Sequence, residues 1–229
     1  MTPAPPEPDR AGRRRPAPLG TATNRPRPLA CPAMRGKTRL LGTLLAIAIA
    51  LLASAESSWA AGARGLLDRL PVAAEQNDGY SRAAFKHWIA VPGKGCDVRD
   101  RVLYRQDRSR PRSCGSARGS WVSPYDNRRF SLSSKLDVDH TVPLAEAWGS
   151  GARAWSAAQR RRYANDLHRF TLIAVSASSN RSKADRDPAE WLPPRRSYAC
   201  RYLAHWVAVK HRWRLAVDPA ERDAIGRRM

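Results

Sequence analysis

Cysteine is scarce in this chain: four in 229 residues, no two spaced Cys-x-x-Cys, which argues against a zinc ribbon. Lysine is scarce among the cations, with six of the 41 basic residues against 35 arginines. Acidic residues number only 20. Long apolar runs are limited to one, Leu40 to Ala55, which excludes a multi-span membrane protein. No internal repeat is present. Hydrophobic residues at 42% and charged residues at 27% are ordinary for a folded protein and exclude wholesale disorder or a fibre.

The charge balance is the strongest compositional signal. The formal net charge is +21. Residues 1–60 carry nine basic and three acidic side chains, and residues 61–229 carry 32 and 17, so the downstream part alone holds +15. A GC-rich coding bias accounts for arginine over lysine but not for the net excess. A domain with this surplus attracts polyanions, so nucleic acid or an anionic surface is the expected partner class.

Residues 1–33 are rich in Pro and Arg without apolar periodicity and are expected to be a disordered extension, with Met34 an alternative start. Residues 34–60 follow the order of a secretory signal: basic Met34 to Arg39, sixteen uncharged residues, then small residues. Ala53-Ser54-Ala55 and Ser58-Trp59-Ala60 are the cleavage candidates, and an uncleaved membrane anchor is the alternative. The mature protein is therefore expected outside the cytosol, extracellular or periplasmic, as one domain over residues 61–229. With Cys31 upstream, Cys96, Cys114 and Cys200 remain. A Cys96–Cys114 bridge would close a loop of about 17 residues and contribute on the order of 3 kcal/mol. Cys200 could replace either partner, and one thiol is left over.

The periodicity predicts a helix near 79–90 (Arg82, Phe85, Trp88, Ile89), then short strands and loops across the Arg-rich 97–129 region. A strand is expected over Ser133 to Asp139, a short helix over Pro143 to Trp148, and a helix from Ala157 behind a Ser156/Gln159 capping box. Thr171 to Val175 reads as a strand, and Tyr198 to Arg214 as an amphipathic helix. Asp187-Pro188-Ala189-Glu190 and Asp218-Pro219-Ala220-Glu221 both read as helix starts. His168, His205 and His211 read as packing or surface residues.

The chemistry concentrates in Leu136-Asp137-Val138-Asp139-His140-Thr141-Val142-Pro143. Neighbours on a strand point to opposite faces, so Asp139 and His140 can diverge, one toward a cation and one toward a water. Asn165 and Asn180 follow downstream, separated by the strand over 171–175. This strand, long loop, strand, helix order carrying Asp-His and two Asn resembles the HNH endonuclease family. Cys96-Asp97-Val98-Arg99, Trp121 with Ser123-Pro124-Tyr125-Asp126, Asp187 to Pro194 and Lys210-x-x-Trp213 extend the likeness over residues 78–218. The branch is similar to the C-terminal nuclease domain of GmrSD-type modification-dependent restriction enzymes.

The resemblance implies an α+β fold with a ββα-metal (HNH, His-Me finger) core, a helical insertion and flanking helices. It implies a metal-dependent endonuclease of low sequence specificity acting on DNA, with RNA as the alternative substrate. His140 matches the general base, and Asp139 and Asn180 match ligands of one Mg²⁺ or Mn²⁺ ion. Asn165 matches the Asn that steadies the loop and the catalytic His. Lys183, one turn after Asn180, is expected on a phosphate, as are Arg181 and Arg99. The competing classes are a non-catalytic polyanion-binding protein on the same fold and a membrane-tethered effector.

Overall fold

The computed structural model describes residues 62–111 and 113–229. The extension over 1–33, the signal segment over 34–60 and the anchor reading lie outside these residues.

The architecture is α+β: three separate two-stranded antiparallel pairs among helices. In chain order these are β1 (Ala90–Val91) and β2 (Cys96–Asp97), α1 (Val98–Gln106), β3 (Arg118–Val122) and β4 (Arg129–Leu132). Then come β5 (Leu136–His140), α2 (Leu144–Gly149), α3 (Ala157–Ala164), β6 (Leu172–Ser176), α4 (Ala177–Lys183), α5 (Arg196–Trp213) and α6 (Pro219–Gly226).

The central element is the ribbon β5–β6, in register from Leu136↔Ser176 to His140↔Leu172. Period-two alternation gives it two different faces. Leu136, Val138, Leu172 and Ala174 join Val98, Val102 and Leu103 of α1 and Trp121 of β3 in one apolar cluster. Ile173 and Val175 belong to the larger cluster built around α5, with Tyr202, Leu203 and Trp206. Both faces are covered, so β6 reads as an apolar run up to Ser176, while β5 carries the polar Asp137, Asp139 and His140.

Helix starts follow the capping chemistry. Both arms of the Ser156/Gln159 capping box are formed at α3, and of the Asp218/Glu221 box at α6. The expected helix at Asp187 is a correction. Asp187 Oδ1 accepts from the Ala189 and Glu190 amides, but only a turn follows, because Pro193-Pro194 leave no room for propagation.

Two further expectations are corrected. The segment 79–90 holds a single 3₁₀ turn, Arg82–Ala84, and Trp88 adopts φ 55°, left-handed backbone that no helix continues through. The region expected as strands and loops contains α1: Asp97 caps it by accepting from the Asp100 amide, and Val98 and Val102 fall one turn apart on its buried side. Arg99, Asp100 and Arg101 between them hid that stripe.

Cys96 and Cys114 form a disulfide with Cα atoms 6.1 Å apart. It ties β2 to the loop preceding β3. Cys200 is not a free thiol, which corrects the expectation of one left over.

Near the chain's two ends, Val72 pairs in parallel with Val217, the Ala73 amide donates to Val217 O and the Val217 amide to Pro71 O. Beneath this lies a buried polar cluster. Lys210 Nζ donates to Glu146 Oε1 at 2.6 Å, Glu221 Oε2 at 2.6 Å, Ser150 Oγ at 3.0 Å and Ala216 O at 2.9 Å.

Candidate active site

Asp137 and Asp139 share one face of β5, and α4 packs across it. Ser176 caps α4 through its hydroxyl on the Ser179 amide, and Asp126 Oδ2 accepts from both Ser176 Oγ and Ser179 Oγ. With the helix start pinned, Asn180 and Lys183 project one turn apart toward the strand. Asn180 Nδ2 donates to Asp137 Oδ2 at 3.1 Å, and Lys183 Nζ to Asp139 Oδ1 at 2.9 Å. The strand and the helix are thus joined by two parallel polar rungs.

The second rung is wholly buried. Lys183 is 0% exposed, and its ammonium also donates to His140 O at 2.9 Å. The other Asp139 oxygen accepts from Tyr125 Oη at 2.6 Å. Burial pushes the Asp139 carboxyl up, against the pull of Lys183 and Tyr125, and pushes the Lys183 ammonium down, against the pull of Asp139. Each charge is what keeps the other ionised.

This placement corrects the expectation for Lys183. Spacing alone put it on the face of Asn180, and it is there, but with α4 packed on β5 its buried ammonium meets a carboxylate and a carbonyl. Arg99 is likewise used internally, donating to Leu136 O at 3.1 Å and lying 3.8 Å from Asp100. Arg181 is exposed on α4.

His140 turns to the opposite face. Its ring lies between Trp88, with centroids 5.7 Å apart and planes at 29°, and Tyr163, at 6.1 Å and 28°. Nε2 is 2.9 Å from the carbonyl oxygen of Ala164, which can only accept, so the proton sits on Nε2 and Nδ1 holds the lone pair. Nδ1 has no partner among the described residues and is not a sealed atom. Burial pushes the imidazole down to about 3, so it is neutral across the physiological range.

Asn165 stands directly after that carbonyl, as the C-terminal cap of α3. Its Oδ1 accepts from the Ile89 amide at 3.1 Å, and its Nδ2 donates to Lys86 O and Arg161 O, both at 2.7 Å. One side chain therefore joins the end of α3, which holds His140, to the segment carrying Trp88, which covers it.

The structure thus gathers Asp139, Asn180 and Lys183 at the β5–α4 contact, with His140 and Asn165 on the adjoining face. Sequence reasoning missed Tyr125, Trp88, Tyr163 and Asp137 as partners. Tyr125 and Asp137 stood inside the stretches that carry the family resemblance; nothing in spacing marked Trp88 or Tyr163, which reach the ring from remote segments.

Asp137 and Asn180 carry oxygen donors of the kind a hard divalent cation takes, the Asn180 carbonyl oxygen being left over by its Nδ2 hydrogen bond to Asp137, whereas both Asp139 oxygens already accept hydrogen bonds and the Lys183 ammonium beside them opposes a second cation. The one cluster of three carboxylates within 4.8 Å among the described residues lies elsewhere, formed by Glu75, Asp187 and Asp218.

Residues 98–228 match the family described as GmrSD restriction endonucleases, C-terminal domain. A relative from Arthroderma benhamiae, described as an uncharacterized secreted protein, is 43% identical over 170 residues, covering 72% of this chain and 82% of its own length. No solved structure matches.

Proposed function

Because the chain belongs to the family of GmrSD restriction endonuclease C-terminal domains, and so has a nuclease-type domain, we propose that it is a metal-dependent, HNH-type endonuclease that hydrolyses phosphodiester bonds of DNA with low sequence specificity. The observation that carries this reading is the His140 ring, held neutral with Nδ1 open, one residue from a carboxylate on the opposite strand face. The order β5, β6, α4, with α4 packed on the hairpin, supports a ββα-metal core.

In this mechanism Nδ1 of His140 takes a proton from a water whose oxygen attacks phosphorus, and the bond from phosphorus to the 3′-oxygen breaks, the departing 3′-oxygen taking a proton from solvent to become the free hydroxyl. The bond from Nε2 to Ala164 O stabilises the imidazolium that forms. Trp88 and Tyr163 keep the ring from rotating, and Asn165 holds the two segments that supply those contacts. Asp139 and Asn180 would hold one Mg²⁺ or Mn²⁺ ion, which when bound supplies charge neutralisation of the phosphodiester. Lys183 and Tyr125 fix the Asp139 carboxylate. The surplus of basic side chains draws the polyanion in.

The relative described as secreted supports an extracellular location, which agrees with the signal-like residues 34–60. The test is a supercoiled plasmid incubated with Mg²⁺, with Mn²⁺ and with EDTA. Wild type is expected to produce open-circle and linear forms with either metal and none with EDTA, and His140→Ala to lose at least about 100-fold in rate. Unchanged cleavage by His140→Ala overturns the catalytic assignment. Retention of plasmid without any cutting, under all metals, would favour a polyanion-binding protein.

A further inference from the structure

A cavity of about 590 Å³ opens at the C-terminal end of α3. Its walls are of two kinds. Ile89, Leu167 and Trp213 give an apolar and aromatic surface, while Arg161 and Arg162 of α3 and Arg212 of α5 place three guanidinium groups around it. Among the described residues no side-chain partner of Arg161 or Arg162 is found, in contrast to Arg160, which is spent on the carbonyls of Ala84 and Trp155. Two helices converge here, so the cations are more than the basic last turn that ordinarily complements one helix dipole.

The single carboxylate of the cavity does not cancel them. Asp166 Oδ2 accepts from Thr171 Oγ1 at 2.9 Å, Arg212 Nε at 3.0 Å and Trp213 Nε1 at 3.0 Å, and Oδ1 accepts from the His168 amide at 3.0 Å. These four bonds make Asp166 an anchor that orients Arg212 and Trp213. The remaining guanidinium nitrogens of Arg212 are left to face outward, and its side chain is half exposed.

The cavity also adjoins the candidate active site. Its wall includes Ile89 and Asn165, each the immediate neighbour of a residue that touches the His140 ring, Trp88 and Ala164. The cavity wall is thus one residue removed along the chain from the contacts that hold the His140 ring.

We propose that this cavity is a subsite for one unpaired nucleotide of the substrate strand, next to the scissile bond. Its phosphate lies on Arg161, Arg162 and Arg212, and its base lies against Ile89, Leu167 and Trp213. The volume is that of a small-molecule site, within the usual range of roughly 300–1,000 Å³. It admits one nucleotide and not a double helix. Guanidinium groups pair with phosphate oxygens in a planar fork, and apolar or aromatic walls accept any base face, a combination that binds single strands without reading sequence. The inference rests on the nuclease reading and adds to it a preference for unpaired strands.

The experiment measures fluorescence anisotropy of a labelled single-stranded oligonucleotide, and of its duplex with the complement, on the whole protein in EDTA over a salt series. The variants are Arg161→Ala/Arg162→Ala and, as a charge-matched control, Arg196→Ala/Arg201→Ala, exposed arginines at the far half of α5. The cavity pair is expected to weaken single-strand binding at least about tenfold and to lower the salt slope by about 0.7, the contribution of one phosphate contact on a single strand. The control pair is expected to change affinity less than about threefold, and the duplex to be affected less than the single strand. Equal losses from the two pairs, no loss from the cavity pair, or an equal loss for duplex would each overturn the proposal. Binding is read with metal chelated, so its failure and a failure of the catalytic assignment appear in different measurements.

Discussion

Lys183 Nζ lies 2.9 Å from Asp139 Oδ1, and both groups are closed to solvent. A buried charge that loses its counter-charge costs about 3–5 kcal/mol, whereas an apolar pair of similar shape can be neutral. Lys183→Met is therefore expected to lower unfolding free energy by about that amount in urea denaturation. Lys183→Met/Asp139→Leu is expected to recover most of the stability and none of the nuclease activity. If the single variant is as stable as wild type, the pair does not hold α4 to β5.

Asn165 makes three hydrogen bonds and touches no substrate in the proposed mechanism, which makes it a positioning residue. Asn165→Ala is expected to cost about 1–3 kcal/mol, because the Ile89 amide and two carbonyls lose their partner. It is also expected to lower kcat with little change in KM, since His140 loses its fixed orientation and substrate contacts remain. A change confined to KM would place Asn165 in binding instead.

The Cys96–Cys114 bridge closes a loop of sequence separation 18, and its removal in Cys96→Ser/Cys114→Ser is expected to cost about 3 kcal/mol. The same loss is expected on mild reduction of wild type, read as a lower urea midpoint. An unchanged midpoint would mean the loop before β3 is held by its other contacts.

Glu75 gives a stability prediction with a defined sign. Burial first, and its neighbour Glu146 next, push its carboxyl from 4.5 up to about 7. A raised native pKa means that the folded state holds the proton more tightly than the unfolded one. The stability it contributes is present below about pH 4.5 and declines as pH rises to about 7. Glu75→Gln mimics the protonated form, so its Tm is expected to match wild type near pH 4.5 and to exceed it by a growing margin that levels off above pH 7. Glu221, pushed up to about 8 by burial, continues the decline in both proteins alike. A margin independent of pH would exclude Glu75 as its source.

Some local signals were legible in the sequence, although the cap at Asp187 led to a turn and that at Asp97 went unread. The caps at Ser156 and Asp218 mark α3 and α6, and the apolar run through Val175 marks β6. The Asp139–His140 divergence follows from strand alternation alone. What was not legible depends on contacts far apart in the chain. Lys183 has the same spacing from Asn180 whether it faces solvent or Asp139, and only the packing of α4 on β5 selects the second. Trp88 sits in an apolar pattern of helical period, but its use as a cover for His140 requires a left-handed backbone that breaks the helix. α1 was masked because Arg99, Asp100, Arg101 and Arg105 leave only Val98, Val102 and Leu103 to mark its buried side.

The pairing of Val72 with Val217 also has a consequence for the order in which the chain can close as it is synthesised. Two stretches separated by nearly the whole domain close on each other over the Lys210 cluster, so a chain that emerges amino-terminus first cannot seal this seam until Val217 has followed. The seam is thus among the last contacts the growing chain can make, formed only after the strands and helices that carry His140, Asn165 and Lys183 have all emerged.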